Sequence, residues 1–417
     1  MSPLKISWKS LWSKPLSAAL NMMLIAFGTG ILTILLLASN QISEKLENNS
    51  KDIDLVVGAK GSPLQLILSS IYYIDFPTGN IPLKEAMELA RSPFVKRAVP
   101  LALGDNYNGL RIVGTDTNFI ALYKLKTAQG KFWQKDFETT IGAAVAKTQN
   151  LKVGDKFYGA HGLTDNAGVH KNHEYVVSGI LEPQGNVADN LILTNVASVW
   201  KMHDEHEDHD HEEHKHDEHD HKGHDHNAPT EVQVNDESRE LTSLLIQYRS
   251  PMSVAMFPRL VNEATNMQAA SPAQESTRLF SLIGVGVDTL QWFAILIMLI
   301  AAISVFVNLY NSLKERNYDL AIMRTLGASR TKLFLIVITE GIMLTLAGTV
   351  MGVLLGHLVL EFIGSNQESG QAQLTGFVLL YNEIYLFVAG LAIGIFAAII
   401  PAIHAYRSNI SKILAKN

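Results

Sequence analysis

Cysteine is absent from all 417 residues. That excludes disulfide staples, thiol nucleophiles and Cys-type zinc or iron–sulfur sites. It is neutral about compartment, because a domain of sufficient size needs no staple. Other catalytic signatures are missing too. No serine sits in a G-x-S-x-G elbow and no H-E-x-x-H helix occurs. Gly58-Ala59-Lys60-Gly61-Ser62 echoes a phosphate loop without its spacing and reads as a turn, so the chain is expected to hold no nucleotide site of its own. The formal charge is −6, with acids gathered in one segment and bases at the edges of apolar runs. Without a basic face, nucleic acid is excluded as a partner. No internal repeat is found, and Lys and Arg are absent from Ile363 to Glu383.

What the chain does have is apolar length. Hydrophobic residues make up 47% of it, and a span of 24 residues runs from Leu16 to Ser39. As a helix this span is roughly 36 Å long, enough to cross a bilayer. A cleaved leader has about half that apolar length, so an uncleaved first span is expected after a cytoplasmic segment 1–15. Three further spans are predicted at about 290–310, 333–361 and 384–403. Lys5, Lys9 and Lys14 flank the first span; Lys314, Arg316, Arg324, Arg330 and Lys332 fill the segment 311–332; Arg407, Lys412 and Lys416 end the chain. The positive-inside rule puts both termini and that basic segment in the cytoplasm, and residues 40–280 outside. The expected fold is therefore a membrane α-helical protein of four transmembrane helices, with a large α+β extracytoplasmic domain inserted between helices 1 and 2.

In the outer region, Asn108–Asp116, Glu174–Leu181, Leu191–Thr194 and Leu244–Tyr248 are short apolar or alternating runs that predict strands. Pro82–Arg91 and Pro251–Met267 read as helices with proline near the first turn.

In the basic segment, Leu313, Leu320, Met323 and Leu326 fall near one helical face. Gly327 supplies a stop and Ser329 can cap the helix that follows. Such an amphipathic helix can lie on lipid, pack on the bundle or dock into another protein. Glu340 is costly in lipid and should face protein, in reach of a basic residue of this segment. His357 and Glu361 are four apart and share a face. They could bind or relay a cation, or form an interfacial hydrogen-bonded pair. Asp288 is placed at the outer interface.

A run of ten histidines, His203, His206, His209, His211, His214, His216, His219, His221, His224 and His226, is interleaved with eleven Asp or Glu. Imidazole and carboxylate suit zinc and related divalent metals. Such a polar segment cannot build a core, so 201–228 is predicted to be a disordered loop with overlapping metal sites. The competing reading is a tolerated low-complexity insertion. His161, His170 and His173 precede it and read as solvated loop histidines.

Ser92–Pro100, Ile141–Lys147, Leu151–Asp155, the basic segment Lys314–Arg330, Glu340 with Gly348, Gly352 and Gly356, and Pro401-Ala402 together resemble the FtsX/MacB-like permease subunits of ABC transporters, a group that includes LolC/LolE-like proteins. The tail departs from that pattern, with Asn409-Ile410 where relatives often carry Asp-Pro. The resemblance implies an FtsX-like membrane domain at 281–417 and a MacB-like domain at 40–280 in an inner membrane, the outer domain being periplasmic. It also implies that 311–332 is a coupling segment seated in a groove of a separate cytoplasmic ATPase that binds the ATP. Glu315, Arg316 and Arg324 are then candidates for polar contacts, Leu320 and Met323 for apolar ones, with Gly327 as the turn. Two ATPases call for a second permease chain, identical or not. The histidine run adds an expectation of Zn2+ or another divalent metal, and of a periplasmic metal-binding protein or lipoprotein as a further partner.

Overall fold

The computed structural model describes residues 3–161, 173–207, 239–366 and 374–407. The chain opens with α1 (Pro3–Ser13) and α2 (Pro15–Ser50). The outer region begins with β1 (Leu55–Ala59), α3 (Pro63–Ser70), β2 (Ile81–Pro82), α4 (Leu83–Ala90), β3 (Val95–Tyr107) and β4 (Leu110–Thr115). It continues through α5 (Thr117–Tyr123), β5 (Thr127–Gly130), β6 (Glu138–Ile141), α6 (Ala143–Thr148), β7 (Lys156–Phe157) and β8 (Ala160–His161). Then come β9 (Tyr175–Leu181), β10 (Ile192–Asn195), α7 (Val196–Glu207), β11 (Glu240–Leu241), β12 (Ser243–Tyr248), α8 (Pro251–Ala264) and β13 (Met267–Ala270). The chain finishes with α9 (Pro272–Glu315), α10 (Asn317–Thr325), α11 (Arg330–Ser365) and α12 (Ile384–Arg407). Two compact units result, one from residues 1–43, 282–368 and 373–417, the other chiefly from 44–281.

The outer unit is built on a mixed sheet in the order β13-β1-β12-β3-β4-β10-β6-β9-β5, with β7 on β9 and β8 on β3. The long strand β3 joins its two halves: Val95–Leu101 pair with β12, and Ala102–Tyr107 pair with β4. Strand β9 alternates buried and half-buried residues along its whole length, the period-2 pattern of a sheet with one face packed. One core fills the space beneath α3 and α5, with Ile67, Tyr73, Phe119 and Trp133. A second lies under α4 and α8, where Phe257 and Val261 meet Leu83 and Ile246. The segment Gly58–Ser62 forms the end of β1 and the start of a helix, Ser62 accepting from the Gln65 amide.

Helix α2 ends inside the outer unit, and its last carbonyls are taken up there. Tyr72 donates to the Leu46 carbonyl at 3.2 Å and Tyr123 to the Asn49 carbonyl at 3.1 Å. The Asn49 side chain accepts from the Val187 amide at 3.0 Å. Tyr72 also lies 3.1 Å from Ser276 near the start of α9. The Tyr123 bond satisfies a carbonyl that the helix end leaves without an intrahelical partner, and the Leu46 carbonyl accepts from Ser50 Oγ as well. Burial raises the pKa of both tyrosines, so each stays a hydroxyl donor.

Among the described residues four helices are long and apolar enough to cross a membrane: α2, α9, α11 and the helix Tyr381–Arg407 that contains α12. These helices run beyond the spans read from the sequence. The helix that holds the span predicted at 16–39 continues to Ser50, and the one that holds 290–310 starts at Pro272. At 1.5 Å per residue they reach roughly 54 and 66 Å, well beyond a hydrocarbon layer of about 30 Å. Hydropathy registers the apolar window alone, while the polar turns beyond it contain nothing that breaks a helix. Within the segment 1–15, Pro3–Ser13 are helical as α1. The helix expected over Pro251–Met267 stops at Ala264, and Met267 begins β13. Helix α7 runs to Glu207, so the segment 201–228 begins as helix rather than loop, with His203 and His206 on it.

In the membrane unit, α11 packs closely on α2 and α12. Gly348, Gly352 and Gly356 lie against Ile25, Thr29 and Thr33 of α2, and Gly341 against Ala398 and Gly394 of α12. Small residues at a spacing of four let helix backbones approach where no hydrophobic effect drives them together.

Candidate functional site: the basic turn and its polar locks

Helix α9 runs without interruption to Glu315. Arg316 breaks the regular geometry, and α10 begins at Asn317. Gly327 closes α10 in the left-handed region at φ +94°, with its amide on the Arg324 carbonyl and the Ala328 amide on the Met323 carbonyl. Ser329 then caps α11 by accepting from the Lys332 amide.

Leu320 and Ala321 turn into the bundle, where Leu320 joins Leu313, Leu333, Ile336, Val337, Ala402 and Ala405 in one cluster. Met323 and Ile6 pack on its edge. The face of α10 that points away carries Tyr318, Ile322 and Leu326, which are 47%, 38% and 82% exposed. Leu320 and Met323, the candidates for apolar contact with a partner, pack toward the bundle, Leu320 buried and Met323 half-buried. One expectation is corrected. Leu326, predicted on the same face as Leu320, stands in the open. The sequence pattern counts Leu313 to Leu326 as one helix, whereas the break at Arg316 resets the phase and Leu326 falls at the helix end. The i, i+4, i+8 spacing of Tyr318, Ile322 and Leu326 was the signal available for the outward face.

The acidic and basic candidates are also engaged within this unit. Glu315 pairs with Lys14. Arg316 donates to the Ser10 hydroxyl, and its Nη1 lies 4.0 Å from Glu340 Oε2. Ser10 in turn donates to Glu340 Oε1 at 2.6 Å. Glu340, 7% exposed on α11, therefore faces protein as its cost in lipid requires. Ser7 donates to the Ile336 carbonyl at 2.9 Å, so α1 is bonded to α11 at two levels. Arg324 is half-buried on α10.

A second polar cluster lies toward the other end of α11. His357 and Glu361 share a face, yet each bonds to the 374–383 segment rather than to the other. His357 Nδ1 is 2.5 Å from the Gly376 carbonyl, and its Nε2 is 3.1 Å from Glu383. Nδ1 donates to this carbonyl, since a carbonyl oxygen can only accept. Glu361 accepts from the Thr375 hydroxyl at 3.0 Å and the Gly376 amide at 2.9 Å. Gln41 of α2 closes the ring, with its side-chain amide donating to the Thr375 carbonyl and accepting from the Thr375 amide. Glu383 and Gln41 were missed in the sequence because they lie 26 and 316 residues from His357, and neither makes a local motif with it. Removing the acceptor in Glu361→Ala should lower stability by about 2 kcal/mol, by leaving the Gly376 amide and Thr375 hydroxyl without it. Glu361→Gln, which keeps an acceptor oxygen, should lose less than half of that. Thermal unfolding of the purified chain in detergent measures the difference, and equal loss in both variants refutes the latch.

His209 to His226 and His170 lie outside the described residues, and of His203 and His206 only the helical backbone is described. Among the described residues no group of three His, Asp or Glu could hold a metal. His173 lies in the loop before β9, as expected, but is half-buried, its ring stacking on Phe137 at 4.5 Å. Glu174 beside it is held below the usual carboxylate range by hydrogen bonds from Lys156 and Tyr158.

These features can be set beside known proteins. Residues 18–257 match the MacB-like periplasmic core domain and residues 292–410 the FtsX-like permease C-terminal domain. Among curated proteins the chain is similar to the pyoverdine export ATP-binding/permease protein PvdT of Pseudomonas savastanoi pv. phaseolicola, at 21% identity over 85% of this chain and 51% of that one. It is also similar to PvdT of Pseudomonas fluorescens strain Pf0-1, at 22% identity over 94% of this chain and 54% of that one. The chain thus spans about half the length of the curated relatives it matches. A solved structure of the periplasmic region of MacB from Actinobacillus actinomycetemcomitans aligns with a TM-score of 0.33 and 9% identity, covering 56% of this chain and 97% of that one. With the first family spanning more than half of its residues and the second most of its membrane bundle, the chain belongs to the FtsX/MacB-like family of ABC transporter permeases.

Proposed function

We propose that this chain is the permease subunit of a mechanotransmission-type ABC transporter of the inner membrane, driven by a separate ATPase dimer that docks on α10. The carrying observation is the outward apolar face Tyr318–Ile322–Leu326 on a short helix whose other face is fixed in the bundle. A helix held on one side and open on the other can receive displacement and pass it to α9, which meets it at Arg316. Two ATPases require two permease chains. Lys5, Lys9, Lys14 and the basic residues of 311–332 support a cytoplasmic position for this face, with the outer domain periplasmic. Single-cysteine labelling in this Cys-free chain tests the topology. Asp319→Cys should react only from the cytoplasmic side and Lys152→Cys only from the periplasmic side, and labelling of both from one side overturns the reading.

For cargo, the histidine run supports divalent-metal uptake or homeostasis, zinc above all. Replacing the eight histidines from His209 to His226 with asparagine leaves α7 intact. That strain should grow several-fold more slowly than its parent under zinc chelation and hold less cellular zinc. Parental growth and metal content would remove metal from the function. The relatives' description as pyoverdine exporters supports a second reading, export of an amphiphile, peptide or haem, or extraction of a lipoprotein, by the same machinery. Unchanged metal content with loss of export or mislocalised lipoprotein selects it. A third reading, regulation of a periplasmic hydrolase, requires lost cell-wall hydrolysis with transport unchanged.

A further inference from the structure

Helix α1 is amphipathic in an unusual sense. The side chains it buries against α11 are small and polar, Ser7 and Ser10, whereas Leu4, Trp8 and Trp12 are 59%, 56% and 67% exposed. Leu4, Trp8 and Trp12 lie at i, i+4 and i+8, and the stripe continues onto α2 with exposed Leu16, Leu20 and Phe27. Since α2 is a membrane span, the surface continuous with it is a lipid surface. The rings of Trp8 and Trp12 are 6.2 Å apart and tilted, and tryptophan favours the headgroup level of a bilayer. Lys5 and Lys9, also four apart, are exposed along the flank of the same stripe. No acidic residue lies between Met1 and Ser43 to neutralise them.

The inward face of the helix touches the coupling machinery. Ser10 bridges Arg316 and Glu340, Lys14 pairs with Glu315, and Ile6 packs into the cluster that seats Leu320. Whatever holds the outer face of α1 therefore also holds the break between α9 and α10.

We propose that α1 is a binding site for anionic phospholipid of the cytoplasmic leaflet, with Lys5 and Lys9 on headgroup phosphates and Trp8 and Trp12 in the interface, and that its occupancy steadies α10 through Ser10, Glu340 and Arg316. This rests on the membrane topology given above. A zwitterionic surface satisfies the tryptophans alone, whereas an anionic one satisfies the lysines as well. Each basic side chain near an anionic surface contributes about fivefold in binding.

The test uses the full chain in nanodiscs of phosphatidylcholine, with or without phosphatidylglycerol. Tryptophan quenching by brominated phosphatidylglycerol should exceed quenching by brominated phosphatidylcholine at equal mole fraction by at least about twofold. That excess should vanish in Lys5→Gln/Lys9→Gln and in Trp8→Phe/Trp12→Phe. Equal quenching by the two lipids, or an excess that survives the lysine variant, overturns the site. For the second half, spin labels at Ser13→Cys and Asp319→Cys should give a narrower distance distribution with phosphatidylglycerol than without it, and Glu340→Gln should remove the narrowing. Identical distributions in both lipids overturn the coupling. Labelling of Asp319→Cys and Lys152→Cys from the same side would instead refute the topology, which separates the two failures.

Discussion

Substituting aspartate for both Ile322 and Leu326 is expected to abolish binding of the ATPase while leaving the permease folded. Leu326 is 82% exposed and Ile322 38%, so the unbound chain loses little packing at the first and some at the second, far less than at a buried position. In a docked complex each contributes the burial of a large aliphatic group, about 1.5–3 kcal/mol. The aspartates add the cost of desolvating charge in what had been an apolar seat. Together the affinity should fall roughly a thousandfold or more, since each 1.4 kcal/mol is a factor of ten. Co-purification and surface binding with the cognate ATP-binding subunit measure it, alongside a melting curve of the permease alone. Parental affinity in the double variant would show that α10 docks by another face or not at all.

Leu320→Asp gives the contrast. Leu320 is 6% exposed among Leu313, Leu333, Ile336 and Ala405, so its charge would sit inside the bundle. That variant should lose yield and thermal stability before any question of binding arises. The two outcomes separate a residue that receives force from one that fixes the receiving element in place. They also bear on Arg316, which bonds to Ser10 and lies near Glu340 at the break between α9 and α10.

Much of this arrangement was legible in the sequence, for identifiable reasons. Apolar windows and lysine–arginine bias reveal the spans because lipid penalises polar groups within one continuous segment. The cap at Ser329 and the left-handed turn at Gly327 follow from residue type alone. The outer strands Leu110–Thr115 and Tyr175–Leu181 appear where alternating runs predict them. What escaped was relational. The phase of α10 depends on a break at Arg316 that no proline or glycine announces. The partners of His357 are Gly376 and Glu383 and those of Glu361 are Thr375 and Gly376, with Gln41 holding Thr375 from another helix, so the local i, i+4 spacing suggested a pair whose members the tertiary structure bonds elsewhere. The lengths of α2 and α9 exceeded their hydropathic windows because hydropathy measures solvent preference and not helical continuity. The histidine run is plain in composition, but its side chains lie outside the described residues.

The second large effect is expected at Gly352. Its Cα faces α2 so closely that an added methyl would overlap the Thr29 hydroxyl and approach the Ala26 carbonyl oxygen to 2.6 Å. Thr29 is itself tied back to the Ile25 carbonyl at 2.8 Å, and the Ala26 oxygen belongs to the helix backbone, so neither contact can be relieved by turning a flexible side chain. Gly352→Ala must therefore push α11 away from α2, also loosening the neighbouring approaches at Gly348 and Gly356. Overpacking of this kind costs about 3 kcal/mol, and more where two backbones separate. The same substitution at Gly284 of α9, where nothing lies within 4 Å of the added carbon, should be neutral or stabilise by up to about 1 kcal/mol through helix propensity. One chemical change thus gives opposite signs at two helical glycines. Thermal unfolding of the two variants in the same detergent checks the pair, and a Gly352→Ala protein as stable as its parent would mean that α2 and α11 do not pack at this register.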